Sequence, residues 1–388
     1  MTTITHVALL FLAVAVLLAW WVWNQREQDV DDGEDAAAND ARITPLLRGI
    51  NYLLSDQADL ALQEMVQVAR LRSDAIDVYM ALGEMFRSSG EIGRAVRIHQ
   101  NLLARPDISS DGRLQAHFAL GRDFHTGGLL DRALRQYDHA LGIQSDHLPS
   151  LEASLRIREQ SREWLPAEEL LCRIERIRGE ESHFHRASLY AEEARRCWRD
   201  DHHPEEAEDF ANRAIGLDAA CAAAYLVQLD LLIAQTAPWQ AIEDRFTLLW
   251  QQCRHHAAQA IPSWIGHDAY REASTTLLLR CWHDGHDEQL MLLWLEQLYA
   301  AGCGSRVKEI VMESEFVPVS LRGEMRLLAL REEGDADSQR LAERARVWRK
   351  QVKDYRCHEC GVEVREMRWQ CPQCHQWGSI RAQEGGGL

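Results

Sequence analysis

Four cysteines near the end of the chain, Cys357, Cys360, Cys371 and Cys374, fall into two Cys-x2-Cys pairs. A Cys-x2-Cys step puts two sulfurs on one tight turn, and two such turns supply four thiolates for one tetrahedral metal ion, zinc or iron. Ten residues separate the pairs, fewer than the roughly fifteen to twenty of the commonest four-cysteine zinc pattern. The spacing therefore predicts a compact ribbon of two knuckles over residues 353–381. Gly361 can take the positive φ that a knuckle needs, and Pro372 fixes φ in the other pair.

The same thiols could pair as disulfides. Against this, Cys172, Cys197, Cys221, Cys253, Cys281 and Cys303 stand singly in helical sequence, which fits a reducing compartment and favours the metal. A segment this short buries too little apolar surface to fold on packing alone. Metal binding, worth roughly 10–16 kcal/mol in comparable peptides, is expected to supply most of its folding free energy. His358 and His375 flank the knuckles and read as solvated or outer imidazoles, because four thiolates already complete a site. Tyr355, Trp369 and Trp377 are expected to cover the site or to dock on neighbouring helices.

The elements that must position this ribbon lie upstream. Val7 to Trp23 is an unbroken apolar run of seventeen residues, about 25 Å long as a helix and just able to cross a bilayer core. Residues 1–6 carry no Lys or Arg, and Trp20, Trp21 and Trp23 close the run as an interfacial belt. Both features predict a retained transmembrane helix over residues 7–23, not a cleaved signal peptide. Arg26, the sole basic flanking residue, places the bulk of the chain on the cytoplasmic side. Residues 24–45 carry seven Asp or Glu against Arg26 and Arg42, a net of −5, and read as an extended, self-repelling tether.

Residues 46–350 show helical periodicity and an internal repeat. Ala61, Ala95, Ala133, Ala167, Ala207 and Ala241 recur at intervals of 34, 38, 34, 40 and 34 residues. Gly49, Gly83 and Gly121 stand twelve residues ahead of the first three alanines, and Tyr52, Phe86 and Phe124 three residues after each glycine. This is the period and phase of tetratricopeptide hairpins, in which small residues let two helices approach and an aromatic fills the gap between them. The pattern fades beyond about residue 255, where Trp282, Trp294 and Tyr299 mark two or three further helical pairs of poor consensus. The fold class read from the sequence is all-α. It is a tetratricopeptide-repeat solenoid with one N-terminal transmembrane helix, a small four-cysteine rubredoxin-like metal ribbon, and a flexible tail over residues 382–388.

A formal net charge of −17 argues against a nucleic-acid partner, and the tail from Lys353 offers five basic against five acidic residues. Phosphate-binding glycine loops, paired-histidine metalloprotease motifs and hydrolase elbows do not occur. His202 and His203, His255 and His256, and His283 and His286 lack an orienting carboxylate and read as solvated side chains. The chain therefore reads as a binding scaffold, not an enzyme, with Arg87, Arg122 and His125 on the early repeats as the expected partner-docking residues. Two alternatives are a general co-chaperone that holds peptide tails and, if the metal is iron, a rubredoxin-like electron carrier.

The order of parts, with stretches such as Gly49 to Ser55, Leu82 to Gln100, Leu120 to Ala133 and Tyr355 to Ile380, resembles the lipopolysaccharide assembly protein B family. The resemblance is in residues at both ends and in architecture from about 145 to 345. It implies a single-pass protein of the bacterial cell inner membrane, its bulk on the cytoplasmic side, with Cys357, Cys360, Cys371 and Cys374 as metal ligands and a ribbon packed against the repeats. It implies three partners: a membrane-anchored AAA+ protease, the deacetylase that commits precursor to lipid A, and an inner-membrane lipopolysaccharide sensor. The adaptor would promote degradation of the deacetylase. A second copy of the chain, as a homodimer, is also kept among the partners.

Overall fold

The structure, a computed structural model, describes residues 75–265, 267–331 and 336–383, with isolated positions 48, 52, 60 and 64 ahead of them. The apolar run Val7 to Trp23, the acidic tether, Gly49, Ala61 and residues 384–388 lie outside the described residues. Among the described residues no helix is long and apolar enough to cross a membrane. The chain divides into two compact units, Met1–Ala153 and Ser154–Leu388.

In the first unit, α1 (Ala75–Ser88) and α2 (Ile92–Leu103) form one hairpin, and α3 (Ser110–Thr126) and α4 (Leu130–Ile143) a second. The repeat phase read from the sequence is physically explicit here. The His99 ring lies on the backbone of Gly83 and the Tyr137 ring on that of Gly121, so a Cβ at either glycine would collide with the ring. Ala95 and Ala133 are fully buried, as are the following-helix partners His99 and Tyr137.

These two hairpins also share a buried charge network. Asp123 accepts a hydrogen bond from Arg87 Nη1 at 2.9 Å and lies 2.5 Å from His99 Nδ1. The side chains of Asp123 and His99 are fully buried and that of Arg87 is 6% exposed. This corrects the expectation for Arg87. A guanidinium buried against Asp123, and in contact with Glu84, fastens one hairpin to the next and is not presented to a partner. Arg122 is exposed and 3.2 Å from Glu84, and His125 is half-buried.

The second unit takes up α5 (Leu148–Gln160) from Ser154 onward. There follow α6 (Trp164–Arg178), α7 (His183–Arg199), α8 (Pro204–Leu217), α9 (Ala222–Ala234) and α10 (Trp239–Cys253). A 3-10 segment (Arg254–Ala260) and the short α11 (Ile261–Ile265) then interrupt the hairpins before α12 (Asp268–Gly285), α13 (Glu288–Ala300), α14 (Gly304–Glu313), α15 (Leu321–Ala329) and α16 (Ala336–Gln351). Ala167 and Ala207 are fully buried, whereas at the next repeat Ala241 is half-buried and its neighbour Ile242 takes the core position.

A turn recurs where the alanine pattern does not. The helices α1, α3, α5, α9 and α13 each end in a residue of positive φ, namely Gly90, Gly128, Arg162, Thr236 and Gly302. In each the next amide reaches back five residues, as in Glu91 N to Phe86 O at 2.8 Å, Ala237 N to Leu232 O at 2.9 Å and Cys303 N to Leu298 O at 3.0 Å. This is the Schellman closure, which satisfies the last carbonyls of a helix and reverses the chain into the next one. The α7–α8 turn is one residue longer, with His203 N bonded to Cys197 O at 2.8 Å. From α10 onward the core is built of large side chains, with Phe246, Trp264 and Trp294 fully buried. That is why a signature of small residues fades there while the hairpin turn at Gly302 persists.

Candidate metal centre and its seat on the helices

After α16 the chain forms three short strands, β1 (Tyr355–Cys357), β2 (Glu363–Val364) and β3 (Ile380–Ala382), in the antiparallel order β2-β1-β3. The tail is thus a β-ribbon on an otherwise helical chain. It runs past the expected boundary at residue 381, because Ala382 pairs with Tyr355 and Gln383 N bonds Asp354 O at 2.8 Å.

The two knuckles repeat one backbone plan. Cys357 N bonds Val362 O at 2.9 Å and Cys371 N bonds Gln376 O at 3.0 Å; Gly361 N bonds Cys357 O and His375 N bonds Cys371 O, both at 3.0 Å. The residue that turns the backbone has φ of 73° in the first knuckle and 58° in the second. Gly361 fills that position as expected from the sequence, and its counterpart in the second knuckle is His375. His375 therefore has a backbone role that its side chain did not advertise.

The four sulfurs all lie within 4.8 Å of one another. Cys357 Sγ is 3.7 Å from Cys374 Sγ and Cys360 Sγ is 3.6 Å from Cys371 Sγ. A tetrahedron with metal–sulfur bonds of about 2.3 Å has edges of about 3.8 Å, so these spacings suit one ion, while disulfides would need about 2 Å. Charge makes the same point. Burial raises the Cys357 thiol, but Ser379 and the amides of Cys360 and Glu359 outweigh it and bring it down to about 6. At Cys374 the Gln376 amide pulls downward, yet burial and the neighbouring thiols push it up to about 12. Four crowded thiols resist joint ionisation, and a divalent cation at their centre removes the conflict. The donor set thus fits zinc or iron, and such an ion would cross-link the two knuckles.

The ribbon is seated on helices of its own unit by a buried carboxylate. Glu159 near the end of α5 accepts from Trp377 Nε1 at 3.1 Å and Gln370 Nε2 at 3.0 Å, and lies 2.6 Å from His185 Nε2 on α7. Trp377 also meets the Trp164 ring edge-on, with centroids 6.0 Å apart. Gly378, at φ 64°, lies so close to the Phe184 ring that a side chain there would overlap it. On the far side Gln259 donates to the Tyr355 hydroxyl at 2.6 Å, and Trp369 packs edge-on against His256 at 5.0 Å. Burial, then the charges of His255 and Arg381, push the His256 imidazole down to about 4. Asp354, just ahead of β1, is 2.9 Å from Arg349, which shares Glu296 with the buried Arg326.

Tyr355, Trp369 and Trp377 therefore dock on helices, one of the roles read for them from the sequence. Glu159, His185, Gln259 and His256 were not foreseen in that role, and His256 is not the solvated side chain expected. The one local signal was that Leu151, Leu155 and Glu159 lie four residues apart, so a carboxylate extends an apolar stripe.

Residues 355–382 match the family model described as a rubredoxin metal binding domain. Over 391 aligned residues the chain is 24% identical to lipopolysaccharide assembly protein B of Escherichia coli (strain K12), covering 97% of this chain and 98% of that protein. The chain is similar to lipopolysaccharide assembly protein B over nearly its whole length. The namesake from Haemophilus influenzae is 25% identical over 412 residues, again with 97% and 98% covered. Among solved structures, a tetratricopeptide repeat protein from Parabacteroides merdae aligns over 79% of this chain and 98% of that one, at 11% identity and a TM-score of 0.33.

Proposed function

We propose that this chain is a non-catalytic adaptor of lipopolysaccharide assembly, tethered to the cell inner membrane by residues 7–23 with its bulk in the cytoplasm. The observation that carries the reading is the clamp of the metal ribbon on the repeat helices through Glu159, Trp377 and Gln370, which joins ribbon and helices into one surface. The whole-length similarity to lipopolysaccharide assembly protein B supports the process. The mechanism is proximity: holding the lipid A-committing deacetylase beside a membrane-anchored AAA+ protease raises their effective concentration, with an inner-membrane lipopolysaccharide sensor opposing it.

The test is the cellular half-life of that deacetylase. Deletion of this chain and the Cys357→Ser/Cys360→Ser variant should both lengthen it severalfold. An unchanged half-life in the deletion would sink the adaptor reading and leave a general scaffold or co-chaperone. The metal is read from the purified protein: zinc gives a colourless protein, and iron gives thiolate-to-metal absorption in the visible range and reopens the electron-carrier alternative.

A further inference from the structure

Between the ribbon and the helices of the second unit lies a cleft of about 970 Å³, at the upper end of the roughly 300–1,000 Å³ typical of ligand sites. Trp369 and Arg381 line it from the ribbon, Arg254 from the 3-10 segment and Arg322 from α15. Its cations are unusual for their surroundings. The chain has 60 acidic against 43 basic residues, and half-buried arginines elsewhere in this unit hold carboxylates, as Arg186 holds Glu168 at 2.8 Å and Arg271 holds Asp268 at 2.6 Å. Arg254 and Arg381 make no ion pair among the described residues. The Arg254 guanidinium lies over the Trp250 ring at 4.6 Å, and Arg381 is exposed on β3. Arg322 donates to the Lys353 carbonyl and to Gln383 Oε1, not to a carboxylate.

The acidic side chains on the same rim keep their charge but are turned to neutral donors and pair with none of these arginines. Asp287 accepts from Leu290 N at 2.9 Å, and Glu288 accepts from Ser320 Oγ at 3.0 Å. Three guanidiniums around an aromatic-lined space, none of them in an ion pair among the described residues, recognise carboxylates through charge-assisted hydrogen bonds. The geometry points to this cleft as the binding site for an extended acidic segment of a partner protein, its carboxylates on Arg254, Arg322 and Arg381 and its apolar side chains against Trp369 and Met367. The net charge of −17 repels a long polyanion such as nucleic acid far more than a short acidic segment. Because the ribbon forms one wall, the site exists only while the metal holds the ribbon folded. This deepens the adaptor reading and rests on it for the existence of a partner.

The experiment is fluorescence anisotropy on the full chain, metal-loaded and in detergent micelles. The probe is a short fluorescein-labelled peptide alternating Glu with Leu and Phe, compared with the same peptide carrying Gln for Glu. The Glu peptide should bind at least about tenfold more tightly than the Gln peptide, a difference of about 1.4 kcal/mol. Arg381→Glu, exposed on the ribbon surface, should weaken it at least tenfold, as should Arg254→Gln, while pyrophosphate should compete only in large excess. Equal binding of the two peptides, unchanged affinity in Arg381→Glu, or displacement by stoichiometric pyrophosphate overturns the proposal. Peptide binding is read apart from deacetylase half-life, so loss of one with retention of the other separates the cleft from the adaptor reading.

Discussion

Cys357 and Cys371 head equivalent turns, and each turn is held by the same pair of backbone bonds. The sulfurs sit at the corners of a tetrahedron, so removing one ligand leaves three thiolates and an open position. Cys371→Ser should release the metal and unfold the ribbon while helical circular dichroism stays within a few per cent of wild type; metal retained at full stoichiometry would contradict the four-thiolate site. His256 carries a pH dependence. Its imidazole is held at about 4 by burial, with His255 and Arg381 adding to the effect, against about 6.5 in the unfolded chain. The unfolded chain therefore takes up the proton first. The stability that neutral His256 contributes is full above about pH 6.5 and is lost as pH falls from there towards 4. Thermal melts should show a loss of about 1–2 kcal/mol between pH 7 and pH 5, flattened in His256→Gln. An equal slope in both proteins would rule this histidine out as the source.

The repeat hairpins depend on how each first helix stops. Gly90, Gly128 and Gly302 adopt the left-handed conformation without a Cβ, but Arg162 and Thr236 must hold it with a side chain. For a β-branched residue the strain is greatest. Thr236→Gly should stabilise the second unit by about 0.5–1 kcal/mol, visible as a raised denaturation midpoint with an unchanged slope; a lowered midpoint would mean that glycine's entropy in the unfolded chain outweighs the strain. At this scale the sequence was legible for the first hairpins, because Gly83 and Gly121 and the alanines that follow are each the only residue size that admits the facing ring or helix. Beyond α10 only helical pairs of poor consensus were legible, because Trp264 and Trp294 fill the core there and many large apolar residues could serve equally well.

Across the molecule, the clamp joins residues 218 positions apart in sequence, Glu159 and Trp377. Glu159 serves three donors at once, so Glu159→Ala would strand Trp377 Nε1, Gln370 Nε2 and His185 Nε2 at a largely buried interface, at a cost of about 2–3 kcal/mol. Limited proteolysis around Val352 and Lys353 should then accelerate roughly tenfold or more with metal still bound, and Glu159→Gln should recover part of the protection. Unchanged proteolysis would assign the seat to the aromatic contacts of Trp164 and Phe184 and to the contacts of Gln259, His256 and Arg349 on the far side. If the clamp is what partners read, undocking a folded ribbon should impair function as much as unfolding it.

The sequence by itself determined what depends on local spacing. Two Cys-x2-Cys turns fix a four-thiolate site because each turn needs only its own few residues, and a small-residue period of about 34 fixes hairpins because each helix pair packs on itself. Tertiary structure alone decided which charged residues are available and which are spent. Arg87, read as a docking side chain, is buried on Asp123. Glu159 and His256 hold the ribbon from helices far away in sequence. A carboxylate or an arginine looks the same in sequence whether it faces water, a partner helix or an open cleft, and only the folded chain sets the desolvation and the counter-charge that distinguish these cases.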